Sequence, residues 1–138
     1  MRVQFSLNGE NTEVDADPSD LLVDVLRLRL GLRGARPGCL RGQCGSCTII
    51  FNGLLAPSCL IPAFRAYGAE IVTIEGLGSP GDLSKLQTAF MEHTAFGCGY
   101  CTPGMIMSAR GLLSRTPTPT DEEIIEAIGL LAREEGVF

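Results

Sequence analysis

Five glycines lie within the fifteen residues from Gly31 to Gly45. Glycine in the interior of a helix or strand costs about 0.5–1 kcal/mol relative to alanine, so this density excludes either element. We therefore predict a loop with tight backbone turns. The same loop carries most of the thiols of the N-terminal half. They are Cys39, Cys44 and Cys47, in the spacing C-x4-C-x2-C, with Cys59 twelve residues further along.

The six cysteines of this 138-residue chain are not predicted to form disulfides. Disulfide frameworks belong to secreted chains, and the N-terminus MRVQFSLNGE lacks the charged and then apolar segment of a secretion signal. A chain of this length also buries enough surface to fold without covalent staples. We therefore expect a cytoplasmic protein, in which clustered cysteines are more often metal ligands or redox groups than bridges.

Composition excludes several classes of function. Sixteen acidic residues outnumber eleven lysines and arginines, and the net charge of −5 argues against nucleic-acid binding. A hydrophobic content of 45% argues against disorder. No membrane span is expected, because asparagine, glycine and proline interrupt the longest weakly polar stretch, residues 48–64.

The N-terminal half is predicted to be a small mixed sheet crossed by one helix. Alternation over residues 3–14, broken by the turn dipeptide Asn8-Gly9, predicts a β-hairpin. A helix is predicted to begin at Asp17-Pro18 and to end at Gly31. Further predicted elements are strands at 48–51, 54–56 and 70–75 and a short helical piece at 61–67.

The C-terminal half is predicted to be helical. Residues 76–81 form a Gly/Pro/Ser cluster, after which the hydrophobic period changes from two to 3.6. One helix is expected around Leu83 to Phe90, a second begins at Thr102-Pro103, and a third follows a capping box formed by Thr120 and Glu123. The prediction is an α+β chain with domains at residues 1–76 and 77–138.

The spacing of the first three cysteines is the plant-type signature of a [2Fe–2S] cluster, and Cys59 supplies a fourth thiolate. Such a cluster needs backbone N–H groups turned toward its sulfurs, and glycines at 38, 42 and 45 permit this curvature. A structural zinc site is the alternative, but it usually takes two short-spaced cysteine pairs. Buried structural thiols are a second alternative, which three cysteines in nine residues disfavour.

Charge is distributed unevenly around these cysteines. No acidic residue lies between Asp24 and Glu70. An anionic four-thiolate cluster gains charge on reduction, so positive potential would stabilise its reduced form. The alternative is a solvated face or a docking patch, to which Arg27 and Arg29 are equally suited. The arginines of this stretch are Arg27, Arg29, Arg33, Arg36, Arg41 and Arg65.

Four segments resemble the iron–sulfur small subunit of molybdenum hydroxylases, a family that includes xanthine dehydrogenases, aldehyde oxidoreductases and carbon monoxide dehydrogenases. They are LVDVLRLRLGL (22–32), GCLRGQCGSCT (38–48), PSCL (57–60) and CGYCTPGMIM (98–107). The resemblance covers nearly the whole chain, in order. It implies a β-grasp ferredoxin-like domain followed by a helical bundle, with Cys39, Cys44, Cys47 and Cys59 as ligands of the first [2Fe–2S] cluster.

The resemblance also implies a second [2Fe–2S] cluster in the helical half, and here the chain departs from the pattern. Cys98 and Cys101 match two of its ligands, but Ala132 and Glu134 stand where the family has the other two cysteines. This chain alone therefore lacks a complete second site. Three explanations remain open: the site is degenerate and serves another redox partner, another chain completes it, or the C-terminal sequence is altered. Cys98 and Cys101 also suit a mononuclear half-site, a redox pair or two packed thiols.

The function that the resemblance implies is electron relay, from a subunit that binds molybdopterin toward a subunit that binds FAD. The alternative is a free-standing ferredoxin-like carrier, or a subunit of another flavin oxidoreductase, with only the first cluster. No nucleophile–base constellation or nucleotide fingerprint is found in the sequence, so the chain is expected to be a non-catalytic subunit.

Overall fold

The computed structural model describes residues 1–78, 84–93 and 99–134, with side chains described as far as residue 127 of the last helix. Its described part contains a five-stranded mixed sheet and helices, in the strand order β2-β1-β5-β3-β4. β1 pairs parallel with β5, and the other neighbouring strands pair antiparallel. The strands are β1 (Arg2–Leu7), β2 (Glu10–Asp15), β3 (Thr48–Phe51), β4 (Leu54–Pro57) and β5 (Glu70–Val72).

The predicted N-terminal hairpin is confirmed. β1 and β2 pair from Arg2 opposite Asp15 to Leu7 opposite Glu10. Asn8 and Gly9 form the turn with φ of 52° and 85°, a combination that suits the right-handed twist of the paired strands. The inward-facing side chains of β1 enter the core on one face of the sheet.

The crossing helix begins later than predicted. α1 spans Leu22–Asp24 and continues as a π-helical turn over Val25–Arg29. The predicted start at Asp17-Pro18 is wrong, because the Asp17 amide donates to the Asp20 carboxylate at 2.8 Å and closes a separate turn. An aspartate side chain that binds nearby backbone in this way competes with helix formation. The predicted end is confirmed, since Gly31 has φ of 71° directly after the last turn.

The main core lies between this helix and the sheet. Leu22 and Leu26 are fully buried, as are Ile49 of β3 and Ile71 of β5. Complete burial of one such side chain contributes about 1.5–3 kcal/mol to stability. The core therefore fixes both ends of the cysteine loop, which runs from the end of the helix to the start of β3.

The last strand is shorter than predicted. β5 ends at Val72, and residues Ile74–Gly76 form a 3₁₀ turn. The backbone amide of Thr73 donates to the side chain of Asn8 at 2.9 Å, and the Asn8 amide donates back to the Thr73 hydroxyl at 3.0 Å. A turn side chain thus takes the hydrogen bonds that a longer strand would use. The helical piece predicted at 61–67 is a 3₁₀ turn over Ala63–Ala66.

Three helices follow the sheet: α2 (Lys85–Glu92), α3 (Thr102–Arg115) and α4 (Asp121–Glu134). The predicted capping box before α4 is confirmed, with the Glu123 amide 3.2 Å from the Thr120 hydroxyl. α3 packs against β3 and β4 and buries Met107. Leu83, the first residue of the predicted α2 stripe, lies outside the described residues. No helix in the described part of the chain is long and apolar enough to span a membrane.

Candidate metal centre

Cys39 and Cys44 form the first of two thiol pairs. The Cys44 amide donates to Cys39 Sγ at 3.2 Å, and the Cys39 amide donates to Cys44 Sγ at 3.3 Å. Two further amides, of Arg41 and Gln43, donate to Cys39 Sγ at 3.3 and 3.2 Å. The loop thus wraps its own N–H groups around one sulfur. This is the environment that an anionic thiolate requires, since hydrogen bonds to a charged acceptor are stronger than neutral ones.

Cys47 and Cys59 form the second pair, and both are buried. The Cys59 amide donates to the Cys47 thiol, and the two side chains interact. Ser58 holds this geometry, because its hydroxyl and its amide donate to the Cys47 carbonyl at 2.7 and 3.2 Å. Val23 and Leu21 pack against the pair and shield it from solvent.

Two pairs match the requirement of a two-iron cluster, in which four cysteines serve two irons. Among residues 1–78, 84–93 and 99–134, no three cysteine, histidine or carboxylate side chains are close enough to hold one metal ion. A structural zinc site needs four ligands on a single ion, so the pairs would have to converge. A [2Fe–2S] cluster also brings the two pairs together, with two thiolates on each iron, and the donor set and the surrounding amides fit it.

Gly38 leaves room for the first pair. A Cβ atom at this position would lie 2.5 Å from Cys44 Sγ, which is closer than atoms can approach without a shift. Leu40 has φ of 58°, a left-handed conformation that costs a non-glycine residue roughly 1–2 kcal/mol. This turn directs the following amides toward Cys39. The loop thus stores local strain where its sulfurs are held.

The two pairs differ in how readily their thiols ionise. Burial acts to raise the pKa of Cys39, but the amides of Cys44, Arg41 and Gln43 outweigh it and lower this pKa to about 6. Burial raises the pKa of Cys47 to about 11, and the neighbouring Cys59 thiol adds to the rise. At neutral pH without metal, the loop therefore presents a thiolate at Cys39 and a neutral thiol at Cys47.

This difference predicts an order of alkylation in the metal-free chain. At pH 7, iodoacetamide should modify Cys39 at least about tenfold faster than Cys47, because the thiolate is the nucleophile. Mass spectrometry of timed digests measures both rates. The alkylation rate of Cys44, in the same loop, is the internal comparison for how far burial limits access of the reagent. Equal rates at Cys39 and Cys47 would contradict the proposed arrangement of amides.

Three arginines of the acid-free stretch, Arg27, Arg29 and Arg36, donate to backbone carbonyls. Arg27 donates to the carbonyls of Arg33 and Ala35 at 3.0 and 3.2 Å. Arg29 pairs with the Asp20 carboxylate at 2.7 Å and donates to the Asp15 carbonyl. These two arginines therefore brace the helix end and the loop entry. This bracing role was not among those predicted from the sequence.

Residues 99 and 100, in the segment that carries Cys98 and Cys101, lie against the cysteine loop. We call this segment the second cysteine segment. Cys98 is outside the described residues, and Cys101 is half-buried directly before α3. Arg36 Nη1 donates to the carbonyls of Gly99 and Tyr100 at 3.0 and 3.2 Å. The Thr102 hydroxyl is buried without a hydrogen-bond partner in the described part of the chain. Ala132 and Glu134 belong to α4, in the part described without side chains.

Sequence reasoning missed two residues of the site, Ser46 and Tyr100, and the contacts of a third, Arg36. The buried Ser46 hydroxyl lies 3.5 Å from Cys44 Sγ, and Arg36 and Tyr100 link the two cysteine segments. A serine between two ligands is by itself a weak sequence signal. The partners of Arg36 are 63 and 64 residues away, so no local pattern indicates them.

Residues 73–136 match a family described as "[2Fe-2S] binding domain". Over 135 residues, the chain is 44% identical to the nicotinate dehydrogenase small FeS subunit of Eubacterium barkeri, covering 97% of this chain and 86% of the relative. It is also 44% identical to the nicotine 6-hydroxylase small subunit of Paenarthrobacter nicotinovorans, covering 99% and 82%.

Solved structures show the same fold. Quinoline 2-oxidoreductase from Pseudomonas putida 86 superposes with a TM-score of 0.90 at 40% identity, covering 94% of this chain and 80% of that chain. Aldehyde oxidoreductase from Desulfovibrio desulfuricans gives 0.89 at 40% identity, covering 94% and 14%. The fold and the matches define a [2Fe–2S]-binding protein. The chain belongs to the family of iron–sulfur small subunits of molybdenum hydroxylases.

Proposed function

We propose that this chain is the electron-transfer subunit of a multi-subunit molybdenum hydroxylase. It relays single electrons through a [2Fe–2S] cluster and performs no substrate chemistry itself. The observation that carries the proposal is the division of four thiols into two pairs, each with its own backbone donors. A bound [2Fe–2S] cluster supplies reversible one-electron chemistry, and the chain supplies its ligands and hydrogen bonds.

Each pair would hold one iron. Cys39 is the half-exposed ligand, and Cys44, Cys47 and Cys59 are buried. Amides donate to Cys39 Sγ from three residues and would stabilise the negative charge of the reduced cluster. Such hydrogen bonds raise the reduction potential of a cluster.

The proposed organisation has two domains. Residues 1–76 form a β-grasp ferredoxin-like domain, and residues 77–138 form a helical bundle domain. The parallel pairing of β1 with β5 and the helix across the sheet support the first assignment. The packing of α2 and α4 on α3 supports the second.

We assign Cys98 and Cys101 to a half-site in the second domain. The buried Thr102 hydroxyl, which lacks a partner in the described part of the chain, supports a bound group next to Cys101. Ala132 and Glu134 do not supply the two thiolates that a [2Fe–2S] cluster would still need. A ligand from another source would have to complete any cluster at this position.

The proposed partners are a large molybdopterin-binding subunit and an FAD-binding subunit, in a cytoplasmic complex. Relatives at 43–46% identity have names that describe them as subunits of dehydrogenases, which supports assembly with other chains. A free-standing carrier is less well supported, because relatives along almost the whole chain carry subunit names.

Purification from the native source tests this assembly. An affinity tag on this chain should recover two larger subunits together with molybdenum, flavin and iron. Dithionite should bleach the visible absorbance of the cluster and produce an S = 1/2 electron paramagnetic resonance signal. Recovery of the chain alone, with its cluster intact, would contradict the complex and favour the carrier.

A further inference from the structure

Arg36 and Tyr100 make reciprocal contacts between the two cysteine segments. The Arg36 guanidinium donates to the carbonyls of Gly99 and Tyr100 and lies over the Tyr100 ring, 5.3 Å from its centroid. The Tyr100 hydroxyl donates to the Pro37 carbonyl. Arg36 is three residues before Cys39, and Tyr100 directly precedes Cys101. One pair of side chains thus touches both segments within a few residues of a thiol.

The other end of the cysteine loop also touches α3. A Cβ atom at Gly104 would collide with the carbonyl oxygen of Gly45. Arg36 is held near the same end, because its amide donates to the Ser46 carbonyl at 3.0 Å. The start of α3 is therefore seated on the loop at two places, one at its beginning and one at its end.

Arg36, Gly99 and Tyr100 lie in irregular loop backbone, outside the helices and strands. Carbonyls of residues 99 and 100 reach Arg36 only if residues 36 and 37 keep their present position. Cys39 follows Pro37 by two residues, and its Sγ accepts from the amides of Arg41 and Gln43. Removing the group that the thiols bind would loosen this part of the loop and, with it, the support of Cys101.

We propose that Arg36 and Tyr100 form a clamp that couples the [2Fe–2S] site to the position of Cys101. Both are positioning residues, and the inference rests on the proposed function of Cys39, Cys44, Cys47 and Cys59. Loading of the first site orders the segment that carries Cys101. Because coupling between sites is reciprocal, a group bound at Cys101 would in turn stabilise the first cluster. The clamp thus fixes the spacing between the two cysteine segments of the chain.

The test measures Cys101 alkylation in the full chain, with the first cluster loaded and after its removal by a chelator. Iodoacetamide is the probe, and the peptide that contains Cys101 is followed by mass spectrometry. In the wild type, cluster removal should speed this alkylation by about 5- to 150-fold, the usual range of coupling between sites. In Arg36→Gln and in Tyr100→Leu, the ratio of the two rates should fall toward one.

Three further variants separate coupling from general damage. Arg65→Gln removes an exposed arginine of the same acid-free stretch and should keep the wild-type ratio. Arg36→Lys retains the charge and should restore part of the ratio. Tyr100→Phe retains the ring but loses the bond to Pro37, and it should give an intermediate value. If the clamp only stabilised the fold, its loss would raise both alkylation rates together and leave their ratio at the wild-type value.

The clamp and the proposed function can fail separately, and different results would overturn them. A wild-type ratio of one, or an unchanged ratio in both clamp variants with the visible spectrum of the cluster intact, would overturn the clamp alone. A chain that shows no [2Fe–2S] absorbance after anaerobic reconstitution would overturn the proposed function, and the clamp would fall with it.

Discussion

Replacing Cys44 by serine is expected to abolish the visible absorbance of the first [2Fe–2S] cluster. Cys44 is buried, and its backbone amide and its sulfur both take part in the pair with Cys39. Serine would leave one iron with a single thiolate. The N-terminal half should also unfold at a lower temperature, because the free energy of metal binding adds to that of folding. Absorbance spectra and thermal melts of the anaerobically purified chain measure both effects.

Cys101→Ser is the matched control for this substitution. It removes a thiol from the second segment and should leave the absorbance of the first cluster largely intact. Cys101 lies directly before α3 and belongs to neither of the two thiol pairs. Equal bleaching by Cys44→Ser and Cys101→Ser would contradict the separation into two sites.

Gly104→Ala should detach the start of α3 from the cysteine loop. The new methyl group would collide with the Gly45 carbonyl oxygen, which cannot move freely because Thr48 donates to it through its hydroxyl at 2.6 Å and its amide at 3.1 Å. Overpacking of this kind costs about 1–3 kcal/mol. Gly45 lies between Cys44 and Cys47, so the rate of cluster loss to a chelator should rise as stability falls.

Gly111→Ala, in the same helix, provides the control. The atoms nearest to its Cβ would be those of the Leu55 side chain, at 2.7–2.9 Å, and this side chain is 36% exposed and can turn away. Alanine is favoured over glycine within a helix by about 1 kcal/mol, so this variant should be neutral or slightly stabilised. Denaturant unfolding of both variants gives the comparison. A loss of stability at Gly111 as large as that at Gly104 would contradict the assigned contact.

The cysteine loop could be predicted because its information is local. Three ligands within nine residues leave few ways to place them, and the glycines between them mark the turns. The hairpin was predictable for a related reason, since Asn8-Gly9 and the alternation beside it describe the same short unit. In both cases the residues that interact are close in sequence.

Features that depend on distant partners were not predictable in this way. The pairing of Cys47 with Cys59 depends on Ser58, whose bonds to the Cys47 carbonyl appear only once β3 and β4 are placed side by side. The early end of β5 follows from Asn8, which lies 65 residues from Thr73. Local competition also misled the prediction at Asp17, where a carboxylate three residues away closed a turn in place of a helix start.

Iron and acid-labile sulfide per chain, measured after anaerobic purification, test the central claim most directly. One cluster held by Cys39, Cys44, Cys47 and Cys59 requires two irons and two sulfides per chain. We expect this stoichiometry for the isolated chain and its loss in Cys44→Ser. Zinc without sulfide in the wild-type chain would contradict the account.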